Sequence, residues 1–117
     1  MRNDKENLIV DLTFDYALKI IEFSENLRSL HRYEMSSQIF RSGTSIGANI
    51  REAQNAESKA DFIHKFKISA KEADELEYWL KLCDQSDFYP SPNNNLLEKL
   101  NTIIKIISKI ISSSKRR

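Results

Sequence analysis

Residues 41–50, RSGTSIGANI, place Gly43 and Gly47 four positions apart within a segment whose apolar residues recur at helical spacing. Glycine in a helix interior costs about 1 kcal/mol relative to alanine, so a helix that contains two of them needs a packing reason. Small residues let another backbone approach closely, and short polar residues can hydrogen-bond across the contact. The stretch therefore predicts an association surface, formed by helix packing within one subunit or by a subunit interface or ligand-facing groove.

The composition around this stretch indicates an all-α protein. The chain has 117 residues, with two glycines and two prolines against 30% charged residues, so turn signals are few and the elements must be long. This length fits one domain, residues 1–117, with its own hydrophobic core. No apolar run is long enough to span a membrane, and the first ten residues lack the apolar core of a signal peptide. We expect a soluble, cytoplasmic protein.

The hydrophobic periodicity predicts four helices, at about residues 11–30, 33–56, 58–86 and 93–113. Short connections between long helices make neighbours antiparallel, which gives an up-down-up-down antiparallel four-helix bundle. Ser58 is expected to cap the third helix, with Asp61 at its third position. The predicted core positions of the first helix are apolar and recur every three or four residues: Phe14, Ala17, Leu18, Ile21 and Leu27.

Two predicted helices carry more apolar surface than one bundle can bury. A corner helix needs an apolar arc of about 100°, whereas the isoleucine-rich fourth helix is apolar over roughly half its circumference. In the third helix, Ile68 and Trp79 lie on a second stripe and would face water in a monomer. Exposed apolar surface of this kind marks a partner site, and a small bundle most often meets another copy of itself. We therefore expect a homo-oligomer.

No reaction is evident from the residues. The glycines lack the spacing and preceding strand of a phosphate loop. Glu57, Asp61 and His64 share one helical face, but helical di-iron sites need such residues on more than one helix. Cys83 falls on the core face of the third helix, where a thiol behaves as a small apolar group. We expect no enzyme, metal, cofactor or small-molecule substrate.

The C-terminal segment carries an excess of positive charge, although the net charge of the chain is only +1. Residues 87–117 contain six Lys or Arg and two Asp or Glu. Basic residues of this kind neutralise phosphates and give salt-dependent, largely sequence-independent affinity. The candidate nucleic-acid-binding residues are basic and mostly C-terminal: Arg41, Arg51, Lys105, Lys109, Lys115, Arg116 and Arg117. The alternative is a solvated face and a frayed tail.

Positions 41–80, RSGTSIGANIREAQNAESKADFIHKFKISAKEADELEYWL, resemble the signature stretch of the bacterial four-helix bundle protein family. This family includes the proteins encoded in intervening sequences of 23S ribosomal RNA genes. The similarity extends to the first-helix pattern DLTFDYALKII and to the turn before the fourth helix. The resemblance implies an up-down bundle that assembles into a homopentameric ring. The expected helix-packing or interface positions are Ser42, Gly43, Ser45, Gly47, Asn49, Glu52, Ile68 and Trp79.

A more distant similarity is to the accessory variability determinant of diversity-generating retroelements, which works with a reverse transcriptase and RNA through a basic surface. This similarity implies binding of RNA or of a nucleoprotein. Our first hypothesis is therefore a non-enzymatic homo-oligomeric bundle with such a partner. The second hypothesis is a structural or protein-binding scaffold without nucleic-acid contact.

Overall fold

Four antiparallel helices form the fold. The computed structural model describes the backbone of residues 4–117 and the side chains of residues 8–93 and 95–117. The helices are α1 Asp4–Ser29, α2 Tyr33–Ala53, α3 Lys59–Gln85 and α4 Asn94–Arg116. Each helix packs against the next in the chain, and α4 packs against α1, so the four occupy the corners of an up-down-up-down bundle measuring 47 × 20 × 19 Å. The predicted all-α four-helix bundle is confirmed.

Local hydrogen bonds set the start of α3. Ser58 Oγ accepts a bond of 3.1 Å from the Asp61 main-chain N–H, as predicted. The Asp61 carboxylate accepts a second bond of 3.2 Å from the main-chain N–H of Glu57, one residue before the N-cap, which ties the preceding turn to the helix start. In contrast, the predicted start of α1 near residue 11 is too late, because α1 begins at Asp4 and its next turns already bury Ile9.

The end of α1 uses a residue in the left-handed conformation. His31 has φ 61°, its N–H donates to the Arg28 carbonyl at 3.0 Å, and the Arg32 N–H donates to the Leu27 carbonyl at 2.9 Å. This pair of bonds is a Schellman motif, in which glycine is the usual left-handed residue. The absence of glycine here gave the sequence no signal of this type of helix end.

The side of the first helix that faces the core is rotated from the predicted one, and of the predicted core residues only Leu27 is fully buried. Phe14 and Leu18, predicted as core residues, are 58% and 49% exposed. The buried apolar residues of α1 are Ile9, Tyr16, Ile20, Phe23 and Leu27. The periodicity was misleading because α1 is apolar over most of its circumference, and because the side that faces α2 includes the small polar residues Thr13 and Ser24, which are also buried.

Glycine permits the close contact between α1 and α2. A Cβ added at Gly43 would overlap Ile20 Cγ2 and come within 3.1 Å of Ile20 Cβ and Cγ1. A Cβ at Gly47 would lie 3.2 Å from Thr13 Oγ1 and 3.3 Å from the Thr13 main-chain oxygen. Ile20 is fully buried and has no room to retreat. Both glycines therefore serve packing within the subunit.

Buried serines hold the same helices together at other levels. Ser24 Oγ donates to the Ser36 carbonyl at 3.0 Å, Ser36 Oγ donates to the Ser24 carbonyl at 2.8 Å, and the two hydroxyls lie 2.8 Å apart. Between α2 and α3, the buried Ser69 Oγ donates to the Ile46 carbonyl at 2.8 Å. Every one of these hydroxyls is hydrogen-bonded, so their burial does not carry the free-energy cost of an unsatisfied polar group.

One tyrosine ties α4 to α1. Tyr16 is 3% exposed, and its hydroxyl donates to the Leu96 carbonyl at 2.8 Å near the start of α4. Burial raises the pKa of the Tyr16 phenol far above its ordinary value. The neutral phenol is thus a fixed part of the α1–α4 contact.

Replacing Gly43 by alanine tests the close contact. Overpacking of a core costs about 1–3 kcal/mol, whereas alanine gains about 1 kcal/mol in helix propensity. Since Ile20 cannot move away, we expect Gly43→Ala to lower the free energy of unfolding, by up to about 2 kcal/mol, in urea titrations at one protein concentration. Gly47→Ala is the matched control and should cost less, because its contacts with Thr13 begin at 3.2 Å. A stabilising Gly43→Ala would contradict the packing role.

Candidate functional site

The small polar residues of α2 bond within their own helix. Ser42 Oγ donates to the Gln38 carbonyl at 2.8 Å, Ser45 Oγ donates to the Arg41 carbonyl at 2.6 Å, and the Asn49 side-chain amide donates to the Ser45 carbonyl at 2.9 Å. The sequence suggested hydrogen bonds across a helix contact instead. Ser42 is fully buried, while Ser45 and Asn49 are half-buried on the side of α2 that faces α3. The polar run therefore satisfies itself locally.

Arg41 is bound by two carboxylates of α3. Its guanidinium donates to Glu72 Oε1 at 3.2 Å and, through its other terminal nitrogen, to Glu75 Oε1. A third contact joins it to Gln38 Oε1 at 3.4 Å. Two acidic partners neutralise the one positive charge, so Arg41 offers little attraction to a phosphate. The Arg41 side chain remains 51% exposed, and pairs of this kind contribute little to stability.

A second ion pair also joins α2 to α3, near the C-terminal end of α2. Lys65 Nζ donates to Glu52 Oε1 at 2.8 Å. This hydrogen bond, together with the negative charges of Glu52 and Asp61, raises the pKa of Lys65. Glu52, expected at an interface, is thus engaged within the subunit in this structure. The α2/α3 side of the bundle is consequently rich in satisfied polar contacts.

The two apolar residues predicted to face water from α3 do not protrude. Ile68 and Trp79 are both half-buried, and the Trp79 ring packs against the core and meets the Tyr78 ring edge-on at 5.3 Å between centroids. Trp79 Nε1 is buried and has no hydrogen-bond partner among the residues that the structure describes.

The exposed apolar surface lies elsewhere, chiefly on α1 and α2. Phe14 is 58% exposed, Leu18 49% and Phe40 46%. A shallow groove beside Phe14 is lined by residues of both helices: Val10, Thr13, Ala17, Thr44, Gly47, Ala48 and Arg51. Helix periodicity alone would have found this side, but only if α1 had been credited with two apolar faces.

Basic side chains gather where α4 ends. Lys105, Lys109 and Arg116 are exposed on one stripe of α4, at spacings that return to the same face of a helix. At this end of the bundle, Lys59 of α3 donates to the main-chain oxygen of Arg117, so α3 and α4 bring their charges together. We name the following set the basic end: Lys59, Lys105, Lys109, Lys115, Arg116 and Arg117. The one acidic residue of α4, Glu98, lies seven residues before Lys105, about 10 Å along the axis.

The structure does not join the other two predicted basic residues to this set. Arg41 lies in the middle of α2, bound to α3, and Arg51 lines the groove between α1 and α2. Arg51 lies near the end of α2 that shares one end of the bundle with the C-terminus of α4, but on a different side.

Titratable groups with catalytic or metal-binding potential are dispersed. No group of three or more His, Cys, Asp or Glu side chains suited to a metal occurs among the described residues. Asp61 is used by the cap of α3, and His64 is exposed. Cys83 is fully buried, and burial raises the pKa of its thiol to about 11. A thiol with this pKa is a poor nucleophile at neutral pH.

The fold and its surfaces define a class, namely a small helical bundle with exposed apolar and basic surfaces. The chain belongs to the 23S rRNA-intervening sequence protein family, whose sequence model matches residues 5–109. The predicted resemblance is thereby confirmed. Over the part of the chain that the structure describes, none of the helices has the length and apolarity needed to cross a membrane.

A solved structure supports the same assignment. The chain is similar to a protein of unknown function from the S23 ribosomal protein family of Bacteroides thetaiotaomicron, at 40% sequence identity with a TM-score of 0.86. The similarity covers 92% of this chain and 98% of that one. No curated protein matches the chain. Neither the family description nor that of the solved structure names a reaction.

Alkaline pH tests the buried thiol and phenol. The neutral forms of Cys83 and Tyr16 are favoured in the fold, because burial raises both pKa values. The contribution of Cys83 to stability is therefore complete below pH 9.0, the ordinary pKa of the thiol, and is lost as the pH rises toward about 11, whereas that of Tyr16 begins to be lost only above pH 10.0, the ordinary pKa of the phenol. For Cys83 the loss amounts to about 2–3 kcal/mol in the free energy of unfolding.

The pH dependence can be assigned with three variants. Cys83→Ala should flatten the decline in unfolding free energy measured by urea titration between about pH 9 and 11, and Tyr16→Phe should flatten the decline above about pH 10. Tyr78→Phe is the matched control, because Tyr78 is 59% exposed. An unchanged decline in both core variants would show that neither group is responsible.

Proposed function

We propose that this protein is a non-enzymatic, self-associating helical bundle that binds RNA, or a nucleoprotein, through the basic end. In this proposal the subunits form a homopentameric ring, as the family resemblance implies, and the protein acts in the cytoplasm as a single domain without a cofactor. The bundle provides a rigid support, and each added subunit repeats the same basic surface. Repetition raises the overall affinity for a long ligand without any new kind of contact.

The arrangement of charge on α4 carries the RNA-binding part of the proposal. Lys105, Lys109 and Arg116 are exposed over about 16 Å of one helical stripe, and none of them forms an ion pair with a described residue. Arg41 and Lys65, by contrast, form ion pairs with carboxylates. Cationic side chains that form no ion pair on a rigid helix attract a polyanion without requiring a particular base sequence. This makes an RNA backbone the best-matched ligand.

A second candidate function is a protein-binding scaffold without nucleic-acid contact. The observation that favours it is the pairing of Arg41 with Glu72 and Glu75, which leaves no excess positive charge in this group of side chains on the α2/α3 side. Such a surface suits a protein partner better than a polyanion.

Binding of a single-stranded oligouridine tests the RNA proposal. Fluorescence anisotropy over about 50 to 200 mM salt should give an affinity that falls linearly on logarithmic axes. The variant Lys105→Gln/Lys109→Gln/Arg116→Gln should bind more weakly, and its salt slope should be smaller by about 2, since each phosphate contact contributes about 0.7 on a single strand. The slope is the decisive measurement, because it counts phosphate contacts.

A matched variant controls for net charge. Arg28→Gln/Lys71→Gln/Lys81→Gln removes the same charge from exposed positions away from the basic end, and it should keep the wild-type slope. Equal slopes for the two triple variants would remove the basic end as the binding site. If the wild-type protein does not bind even at the lowest salt, the scaffold function is favoured.

A further inference from the structure

The first helix is shared by two sides of the bundle with opposite shapes. On the α1/α2 side, Phe14 and Phe40 protrude, 58% and 46% exposed, and we call them the aromatic pair. On the α1/α4 side, a groove of about 510 Å³ opens between the helices. The residues that line this α1/α4 groove are apolar at its base and charged at its rim: Leu12, Asp15, Tyr16, Leu18, Lys19, Glu22, Lys99, Thr102 and Ile103. The α1/α2 side thus has protruding aromatic side chains, and the α1/α4 side has a groove.

The size of the groove suits aromatic side chains. An apolar cavity of about 150 Å³ accommodates a benzene molecule, so about 510 Å³ is enough for more than one ring. Exposed aromatic residues gain most when they enter such a pocket and lose their contact with water. The aromatic pair and the groove are therefore complementary in both shape and polarity.

The available area is sufficient for a stable contact. A side of the bundle measures 47 Å by 20 Å, roughly 900 Å², and a standard interface buries about 800 Å² on each partner. The α2/α3 side has the same dimensions, but its ion pairs, from Arg41 to Glu72 and from Lys65 to Glu52, would have to be desolvated. The α1/α4 groove carries no such cost at its apolar base.

The position of these two sides decides the kind of assembly. Adjacent sides of a four-cornered bundle are inclined at about 90°, whereas opposite sides face away from each other. Head-to-tail contacts between opposite sides would give an open filament. Contacts between adjacent sides turn by a fixed angle: sides inclined at about 90° close after about four copies, and a somewhat wider inclination closes after about five.

We propose that copies of this chain associate head to tail, with the aromatic pair of one copy seated in the α1/α4 groove of the next. This inference rests on the self-association proposed above and names its two surfaces. Phe14 and Phe40 are the central contacts, and Leu18 lies between the two surfaces at the rim of the groove. Each copy contributes its aromatic pair to one neighbour and its groove to the other, which is a heterologous contact that closes into a ring.

Two variants test the two surfaces separately. Phe14→Glu/Phe40→Glu disables the aromatic pair, and Thr102→Trp fills the groove from an exposed position. Each should weaken association at least about 100-fold in sedimentation velocity, the loss typical of central aromatic contacts. An equimolar mixture of the two should form dimers and nothing larger, because only one intact contact remains possible between them. Helical circular dichroism checks that each variant is folded.

Matched variants and the wild type separate the possible failures. Tyr78→Glu/Leu82→Glu and Ser108→Trp change exposed positions elsewhere on the bundle and should assemble as the wild type does. If Thr102→Trp still assembles and the aromatic variant does not, the groove is not the contact surface. That result would indicate a symmetric contact through α1 and α2. Dissociation of Tyr78→Glu/Leu82→Glu instead would move the interface to α3. A wild type that is monomeric at all concentrations would overturn self-association itself.

Discussion

The close approach of α1 and α2 is the constraint on which the rest of the structure depends. Gly43 accepts Ile20 against its backbone, and the paired hydroxyls of Ser24 and Ser36 fix the same two helices at another level. With α1 held this near, its Tyr16 points inward and reaches the start of α4. The contact also fixes the rotation of α1. Any rotation that buried Phe14 would remove Ile20 from the groove that the glycine provides.

The sequence was sufficient to predict the architecture, because helix number and order follow from periodicity and from the scarcity of turn residues. The Ser58 cap followed from a simple local rule. The rotation of α1 could not be obtained in the same way. Periodicity identifies an apolar stripe, but in α1 two stripes exist, and the buried one includes Thr13 and Ser24 because small size matters more than polarity at a close contact.

The surfaces were less predictable than the core for a related reason. Charge runs in the sequence do not show which charged side chains form ion pairs with a neighbouring helix. Arg41 and Lys105 look equivalent in the sequence, yet Arg41 is bound by two carboxylates of α3, while Lys105 is exposed on α4. Likewise Trp79 was predicted to face water, whereas it is half-buried and packs against the core of the bundle. Pairing between helices is a tertiary property, and the spacing within one helix does not contain it.

The four helices differ in how far their polar and apolar side chains are used within the subunit. Packing of α2 against both α1 and α3 uses small residues and ion pairs, so most of its polar groups are satisfied inside the subunit. The helix that looked most functional in the sequence is thus mainly structural. The outward surfaces of α1 and of the end of α4 remain exposed, one apolar and one basic. In the proposed assembly, Lys99, Thr102 and Ile103 of α4 line the groove, whereas Lys109 and Arg116 lie about 10 Å or more beyond Thr102 along the helix. These two cations are therefore left available to a polyanion along the proposed ring.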